Sequence, residues 1–520
     1  MKKLTIPMLI ALAASATAFA DPIKGGTSGR TAIPSGDAIQ IDSTEGNKYT
    51  ASDGITVGSL TEIDGSTGGV NVAAWAQNVG ITIDANSSSE KTALKVSSWK
   101  QNYTTTTLTN SASSTAATTF DFGETLTLSS NYASQSQHLH IKDVYAKVFA
   151  KNTNLQERLG ASTIFVLYGS KVDWYGSIRL GEYYGQKNNA NLVISSEFNL
   201  KRYIGEQSRI EVYDGTTMSI DQTGIFTSSD NVINIYANGA LNVSGQLIMS
   251  GGSTLNIGGT FFLKNQNPTK RFVAYGMNST GGEFTQVTAD GADLNNRGIE
   301  IKRTATLAKN ATTGKNASWN IDSRLDLKGN IAAGIDPNLT TAKLTVNDDS
   351  QIKISYGEKK FVMWSVSKAY LNRENAIVDE NGKGNISLIT GADVAGYVPE
   401  LHITKSQQFA NIFLGSDLKI FLDDNNATLE LTKVDGTTIS GFEDKFIEIY
   451  NFADNKIYVG TNDETLAQIS RIKAYDSDNK LVNITVSDTG WLTAVIPEPA
   501  EWAAIFGAVA LAVAVYRRRK

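Results

Sequence analysis

The sequence predicts an all-β protein: a parallel β-solenoid (β-helix) with a β-rich C-terminal region and one C-terminal transmembrane helix. Three observations predict it. Runs of about four to six residues alternate apolar and polar side chains, the period of a strand. Gly, Asn and Ser separate these runs, as turns require. The pattern then continues over most of the chain with scarcely a helical signal, Leu, Val and Ile facing inward and Asn, Thr, Ser and Asp outward, as coils stacked on a narrow core demand. Tandem β-sandwiches give the same local signals and stand as the alternative.

Taken in order, the chain begins MKKLTIPMLIALAASATAFADP, with two lysines, an apolar stretch from Leu4 to Ala14 and AFA before Asp21. That combination predicts a secretory signal peptide over residues 1–20, cut after Ala20, and hence an exported protein. Residues 21–347 read as the solenoid body. Within it, Thr50 to Tyr132 is loaded with Ser, Thr and Ala, a polar face or loop excursion. KVFAKNTNLQERLG, Lys147 to Gly160, is the one stretch expected to form a short helix. GALNVSG from Gly239 and STLNIGG from Ser253 repeat one strand-and-turn pattern at a separation of about 14 residues, the sort of reuse stacked coils produce. Lys309 to Asn320 reads as a linker or turn cluster.

From residue 348 to 496 the strands become longer and more aromatic, as in KKFVMWSVSKAYL and DKFIEIYNFADNKIYVG. This region is expected to cap the solenoid, because an open last coil exposes a strand edge. Residues 497–520 form a distinct tail in which an apolar run from Trp502 to Tyr516 precedes a basic cluster. That run is short of the ~20 residues a spanning helix normally needs.

Composition excludes several function classes. None of the 520 residues is a cysteine, so disulfides and thiolate metal sites are ruled out. A net charge of -5 and an isoelectric point near 5.5 give no basic excess toward phosphate backbones, so no nucleic-acid partner is expected. No HExxH, nucleophile elbow or phosphate-cradling glycine loop occurs. No cofactor is expected, and no catalytic set.

Acidic pairs are the remaining chemistry. Asp348 with Asp349, Asp423 with Asp424 and Asp476 with Asp478 have the residue types for acid–base work or calcium. Each sits beside Asn, Ser or Gly and reads as a turn. Asp379, Glu380 and Asn381 offer oxygens without the downstream acid of a calcium loop, and Lys480 interrupts the loop that Asp476 begins. His138 and His140 lie two apart, hence on one strand face, but without further ligands they read as surface residues and no metal site is expected. DWYGSIRLGEYYG places Trp174, Tyr175, Tyr183 and Tyr184 in one segment as candidate glycan contacts, with Arg179 and Glu182 able to hydrogen-bond hydroxyls. The competing reading puts Trp174 and one Tyr of each pair in the core. Some ten Asn-x-Ser/Thr sequons, Asn242 and Asn385 among them, follow from an Asn-, Ser- and Thr-rich composition.

In the tail, Pro497-Glu498-Pro499, the apolar segment from Trp502 and the closing Arg517, Arg518, Arg519 and Lys520 stand in fixed order. Together they resemble the PEP-CTERM sorting signal. The resemblance implies a Gram-negative-type envelope, an exosortase-type membrane protease as partner, transient residence in the inner membrane, cleavage close to Pro497-Glu498-Pro499, and delivery to the outer surface or extracellular matrix. It also implies association with exopolysaccharide, biofilm or floc. Independently, a terminal Lys/Arg cluster orients a membrane segment with that end in the cytoplasm. The segment from about Phe442 is similar to the β-rich ends of autotransporter-like surface proteins. No closing run of ~10-residue barrel strands with aromatic girdles accompanies it, so a self-contained autotransporter is not expected.

The leading expectation is therefore a non-enzymatic surface or matrix protein, structural or adhesive, that contacts polysaccharide. A polysaccharide lyase or glycosidase on a β-helix is the alternative, and a self-assembling coat protein a third reading.

Overall fold

The computed structural model describes strand segments at 31–32, 39–41, 55–56 and 63–73, and then residues 80 to 518 except 86, 103–104, 113–114, 131–135, 158–160, 182–189, 266–271, 289–296, 330–340, 348, 393, 434–436 and 496–498. The fold is all-β, about 5% helical, and contains a parallel β-solenoid of about 13 turns. The sandwich alternative does not hold, because neighbouring strands pair in parallel, turn upon turn. The expected signal peptide lies outside the described residues. The chain divides into two compact units, 1–326 with 347–357 and 327–346 with 358–520.

In the first unit each regular turn contributes three strands. Ile225–Ser229, Val232–Ile235 and Ala240–Val243 make one turn; Gln246–Ser250, Thr254–Ile257 and Thr260–Asn265 make the next. The two stack in register, Phe226 on Leu247, Ile233 on Leu255 and Leu241 on Phe261. Alternation in sequence becomes alternation in space, since successive side chains of a strand point to opposite faces. Asp143, Asp230 and Asn238 take left-handed backbone angles at corners, where their short polar side chains make that conformation tolerable.

The core is a column of apolar side chains. Trp174, Phe198 and Phe226 stack in sequence, ring centres 6.0 and 5.7 Å apart, all fully buried. Each large side chain removed from water contributes about 1.5–3 kcal/mol. A second cluster joins Phe261, Phe284 and Trp319 at 4.9 and 6.0 Å.

Three sequence expectations need correction in this unit. The stretch read as a helix from Lys147 forms instead the 13-residue strand Tyr145–Glu157; its Phe149, Leu155 and neighbours are held by parallel partners on both sides, and tertiary pairing overrides local propensity. The Thr-rich stretch is no loop excursion where it is described. Lys91–Asn102, Thr105–Thr109, Thr118–Asp121 and Thr125–Ser130 are strands of the solenoid. The 14-residue repeat is not the coil: Ala240–Val243 pairs with Thr217–Ile220 and Thr254–Ile257 with Val232–Ile235, so the two similar segments occupy different sides of the solenoid.

The second unit, taken by itself, is also built of parallel ladders. Lys360–Trp364, Ser387–Gly391, Asn411–Leu414 and Ile439–Gly441 form one ladder. Ser367–Leu371, Glu400–Ile403, Leu418–Leu422, Ile447–Tyr450 and Ile472–Tyr475 form another. Two outward rows run along the latter. Tyr370, His402, Phe421, Tyr450 and Tyr475 stack face to face with centres 4.5, 4.5, 4.7 and 5.1 Å apart. Beside them Lys368, Glu400, Lys419, Glu448 and Lys473 alternate in sign, rung by rung, so that within these five rungs cross-strand neighbours are opposite in charge; on its other side Lys368 meets Lys343. The last ladder strand is covered by the antiparallel Leu481–Val482, and Ile484–Val486 with Leu492–Ala494 forms a small hairpin.

The tail is a 20-residue helix, Pro499–Arg518. Its Phe506, Leu511 and Tyr516 are exposed. Among the described residues no helix is long and apolar enough to cross a membrane, so the expected transmembrane helix is not found there.

Candidate functional site

Of the four aromatic residues expected to meet glycan, Trp174 and Tyr175 are described, and they face opposite sides of their strand. Trp174 is fully buried in the core column, so it is unavailable as a surface platform. Tyr175 faces outward, but its ring lies flat against Phe149 at 4.3 Å and 7°, which covers one of its faces. Tyr183, Tyr184 and Glu182 lie outside the described residues. Arg179, the polar member of that segment, does reach the surface, half exposed and paired with Glu211 at 3.0 Å.

Arg179 lines a shallow polar groove of about 210 Å³ together with Thr125, Asn152, Thr153, Asn154, Ser177 and Glu211. A local irregularity shapes it. The register between Tyr145–Glu157 and Lys171–Leu180 shifts between Phe149 and Asn152, the signature of a bulge, which re-aims the side chains that follow. Gly176 makes this close approach achievable: its φ is +128, and a Cβ there would lie 1.8 Å from the Ala150 carbonyl oxygen.

The groove is one end of a longer row. Thr127, Asn154, Arg179, Glu211, Asn234, Asn256, Asn278 and Thr306 pair successively as rung neighbours across seven parallel strand pairs. All eight face outward and are part-exposed or exposed. Their side chains bond along the row: Asn256 Nδ2 donates to Asn234 Oδ1 at 2.8 Å, and Asn278 Nδ2 to Asn256 Oδ1 at 3.2 Å. Glu211 accepts from Arg179 and, at 3.3 Å, from the Tyr236 hydroxyl. Tyr213 and Tyr236 stack at 4.3 Å beside this stretch, and burial raises the pKa of both hydroxyls, keeping them protonated donors. The other flank is the parallel row Arg209, Val232, Thr254, Gly276 and Thr304, which beside the three asparagines carries only the short side chains of Val232 and Thr254 and the bare Gly276.

None of these Asn residues stood out in the sequence. The signal was present, however: Asn234, Asn256 and Asn278 recur at 22 residues, the length of a solenoid turn in this region, and each occupies an outward strand position.

Most of the described acidic candidates lie in or beside turns, and Asp379 ends the strand Ile377–Asp379. Asp476 Oδ1 accepts from the Asp478 and Lys480 backbone N–H groups, both at 2.9 Å, and Asp424 accepts from Asn426 at 2.8 Å. Asp379 is buried, and its carboxylate accepts from Asn381 and Lys383 at 2.9 and 2.8 Å; Glu380 pairs with Lys359 at 3.1 Å. Asp423 bonds His402 at 2.9 Å. Asp348 lies outside the described residues. His138 and His140 share one face, their rings nearly parallel and 5.8 Å apart, with Phe165 edge-on to both at 5.5 and 5.2 Å. Burial lowers both pKa values. Among the described residues no group of three His, Asp or Glu side chains is arranged to hold a metal ion.

Of the sorting residues, Pro497 and Glu498 lie outside the described residues, Pro499 begins the terminal helix, and Arg517 and Arg518 end it, exposed. Arg519 and Lys520 also lie outside the described residues. Comparison with family models, curated proteins and solved structures gives no match to this chain.

Proposed function

We propose that this chain is an exported cell-surface or matrix protein, structural or adhesive rather than enzymatic, whose solenoid presents a polar surface to polysaccharide. The observation that carries the reading is the continuous outward row from Thr127 to Thr306, hydroxyl and amide side chains with a single ion pair. Such a surface offers hydrogen-bond donors and acceptors at a regular spacing, which suits a repeating hydroxylated polymer. Asp379, Asp424 and Asp476 support the same reading, because carboxylates bound to the backbone that follows them are poorly placed for the paired action that glycoside hydrolysis needs.

The tail supports delivery to that location. Pro497-Glu498-Pro499, a short apolar helix and a basic terminus suit retention in an inner membrane, C-terminus inward, until an exosortase-type protease removes the tail. An apolar run too short for comfortable spanning suits a transient stay.

The test is a glycan panel with residues 21–496, scoring both binding and degradation. Binding without turnover is the expected result. Degradation of any glycan would overturn the non-enzymatic assignment, and absence of binding would overturn polysaccharide contact.

A further inference from the structure

The geometry points to a specific ligand for the Thr127–Thr306 row: one extended, neutral polysaccharide chain lying across the rungs, held by the exposed sides of the ladder amides. This inference rests on the polysaccharide-binding reading and adds the site, the ligand's charge and its direction.

The first argument is capacity. An Asn side chain has two N–H donors and two acceptor lone pairs. Asn256 spends one donor on Asn234 and one lone pair on Asn278. One donor and one acceptor then remain to face outward. A sugar hydroxyl both donates and accepts, so such an amide matches it in both roles.

The second argument is spacing. Successive rungs of a parallel sheet lie about 4.8 Å apart, so the eight positions span about 34 Å. An extended pyranose chain advances by a similar distance per sugar. A chain running along the row meets an equivalent amide or hydroxyl at each unit, whereas one running along a strand meets a single rung.

The third argument is charge. Arg179 and Glu211 neutralise each other at 3.0 Å, and the other six positions are Thr and Asn. Arg209 one row to the side, Lys100 one rung beyond Thr127 and Arg303 beside Gly252 all lie off the eight positions, which themselves carry no net charge to select a polyanion. Two walls complete the track: the Tyr213–Tyr236 stack on one side, and the short row Val232, Thr254 and Gly276 on the other.

The experiment is calorimetric titration of the whole mature protein with neutral β-1,4-linked gluco-oligosaccharides of increasing length, alongside polyuronate oligomers of matched length. Affinity should rise with each added sugar until the row is filled and should be insensitive to salt. Asn256→Leu, close in volume and unable to hydrogen-bond, should weaken the longest neutral ligand at least tenfold, with the circular dichroism of the folded protein unchanged. Arg179→Gln, at the half-exposed ion pair, provides a second variant should Asn256→Leu unfold, and is expected to weaken binding severalfold. If the unmodified protein binds neutral glycans but neither variant matters, this site is wrong and the broader reading survives. Preference for polyuronates, or affinity that does not grow with length, overturns the neutral extended chain. If no glycan binds, the broader reading fails as well.

Discussion

His402 Nδ1 faces the Asp423 carboxylate at 2.9 Å, one rung away. Its Nε2 faces Glu400 at 3.4 Å, and its ring lies between Tyr370 and Phe421, 4.5 Å from each. Only the imidazolium donates from both nitrogens. A neutral ring would direct a lone pair at one carboxylate.

A pH dependence follows. Burial alone would lower the His402 pKa, but Glu400 and Asp423 outweigh it and the net shift is upward. A group whose folded pKa exceeds its unfolded value of 6.5 contributes stability fully below that value and loses it as pH rises through the folded pKa. The melting temperature of the native chain should therefore exceed that of His402→Gln most at about pH 5.5, with the gap closing toward pH 9. A gap constant across that range would refute the assignment. Glu400, held down at about 2 by His402 first and also by Lys368, acts oppositely: its contribution is present above about 4.5 and is lost as pH falls toward 2.

Gly176 should not tolerate a side chain. Gly176→Ala puts a Cβ 1.8 Å from the Ala150 carbonyl oxygen at a φ of +128, and both strain and displacement of the bulge are expected to cost more than about 2 kcal/mol. Gly205→Ala is the control: its φ is +84 but nothing lies within 4 Å, so a cost of about 1 kcal/mol is expected. Denaturant titration of the two variants measures the difference, and equal losses would show that the close approach at Ala150 is unimportant.

Trp174 should behave as a core residue. Trp174→Ala is expected to destabilise by about 3–5 kcal/mol. Trp174→Phe should cost far less, because it also removes an indole N–H that is buried without a partner. Neither change should alter glycan affinity in a folded sample. A selective loss of affinity in the Phe variant, with its melting temperature unchanged, would restore Trp174 to the surface.

Processing of the tail is read directly by mass spectrometry of surface-released protein from the native host. Loss of everything beyond about Pro499 is expected. Replacing Pro497, Glu498 and Pro499 with alanine should leave uncut chains in the inner-membrane fraction. Surface protein that still carries Lys520 would sink the sorting proposal.

Much of the body was legible because strand alternation is a local property. The inward Leu and Ile of GALNVSG and STLNIGG identify themselves by period two. The coil length was harder to see, since it depends on which segments become neighbours: a 14-residue similarity suggested a repeat where the stacked distance between equivalent asparagines is 22. The helix expected from Lys147 failed for a related reason, as propensity says nothing of the parallel strands waiting on either side.

The sequence by itself determined a β-rich, cysteine-free chain built of short strands and polar turns, and the order of motifs in its tail, because each is written in consecutive residues. Only the tertiary structure decided that Trp174 turns inward, that Arg179 meets Glu211 thirty-two residues away, and that three asparagines from three turns form one row. The physical reason is that hydrogen bonding between stacked coils sets the register, and register decides which distant side chains share a surface.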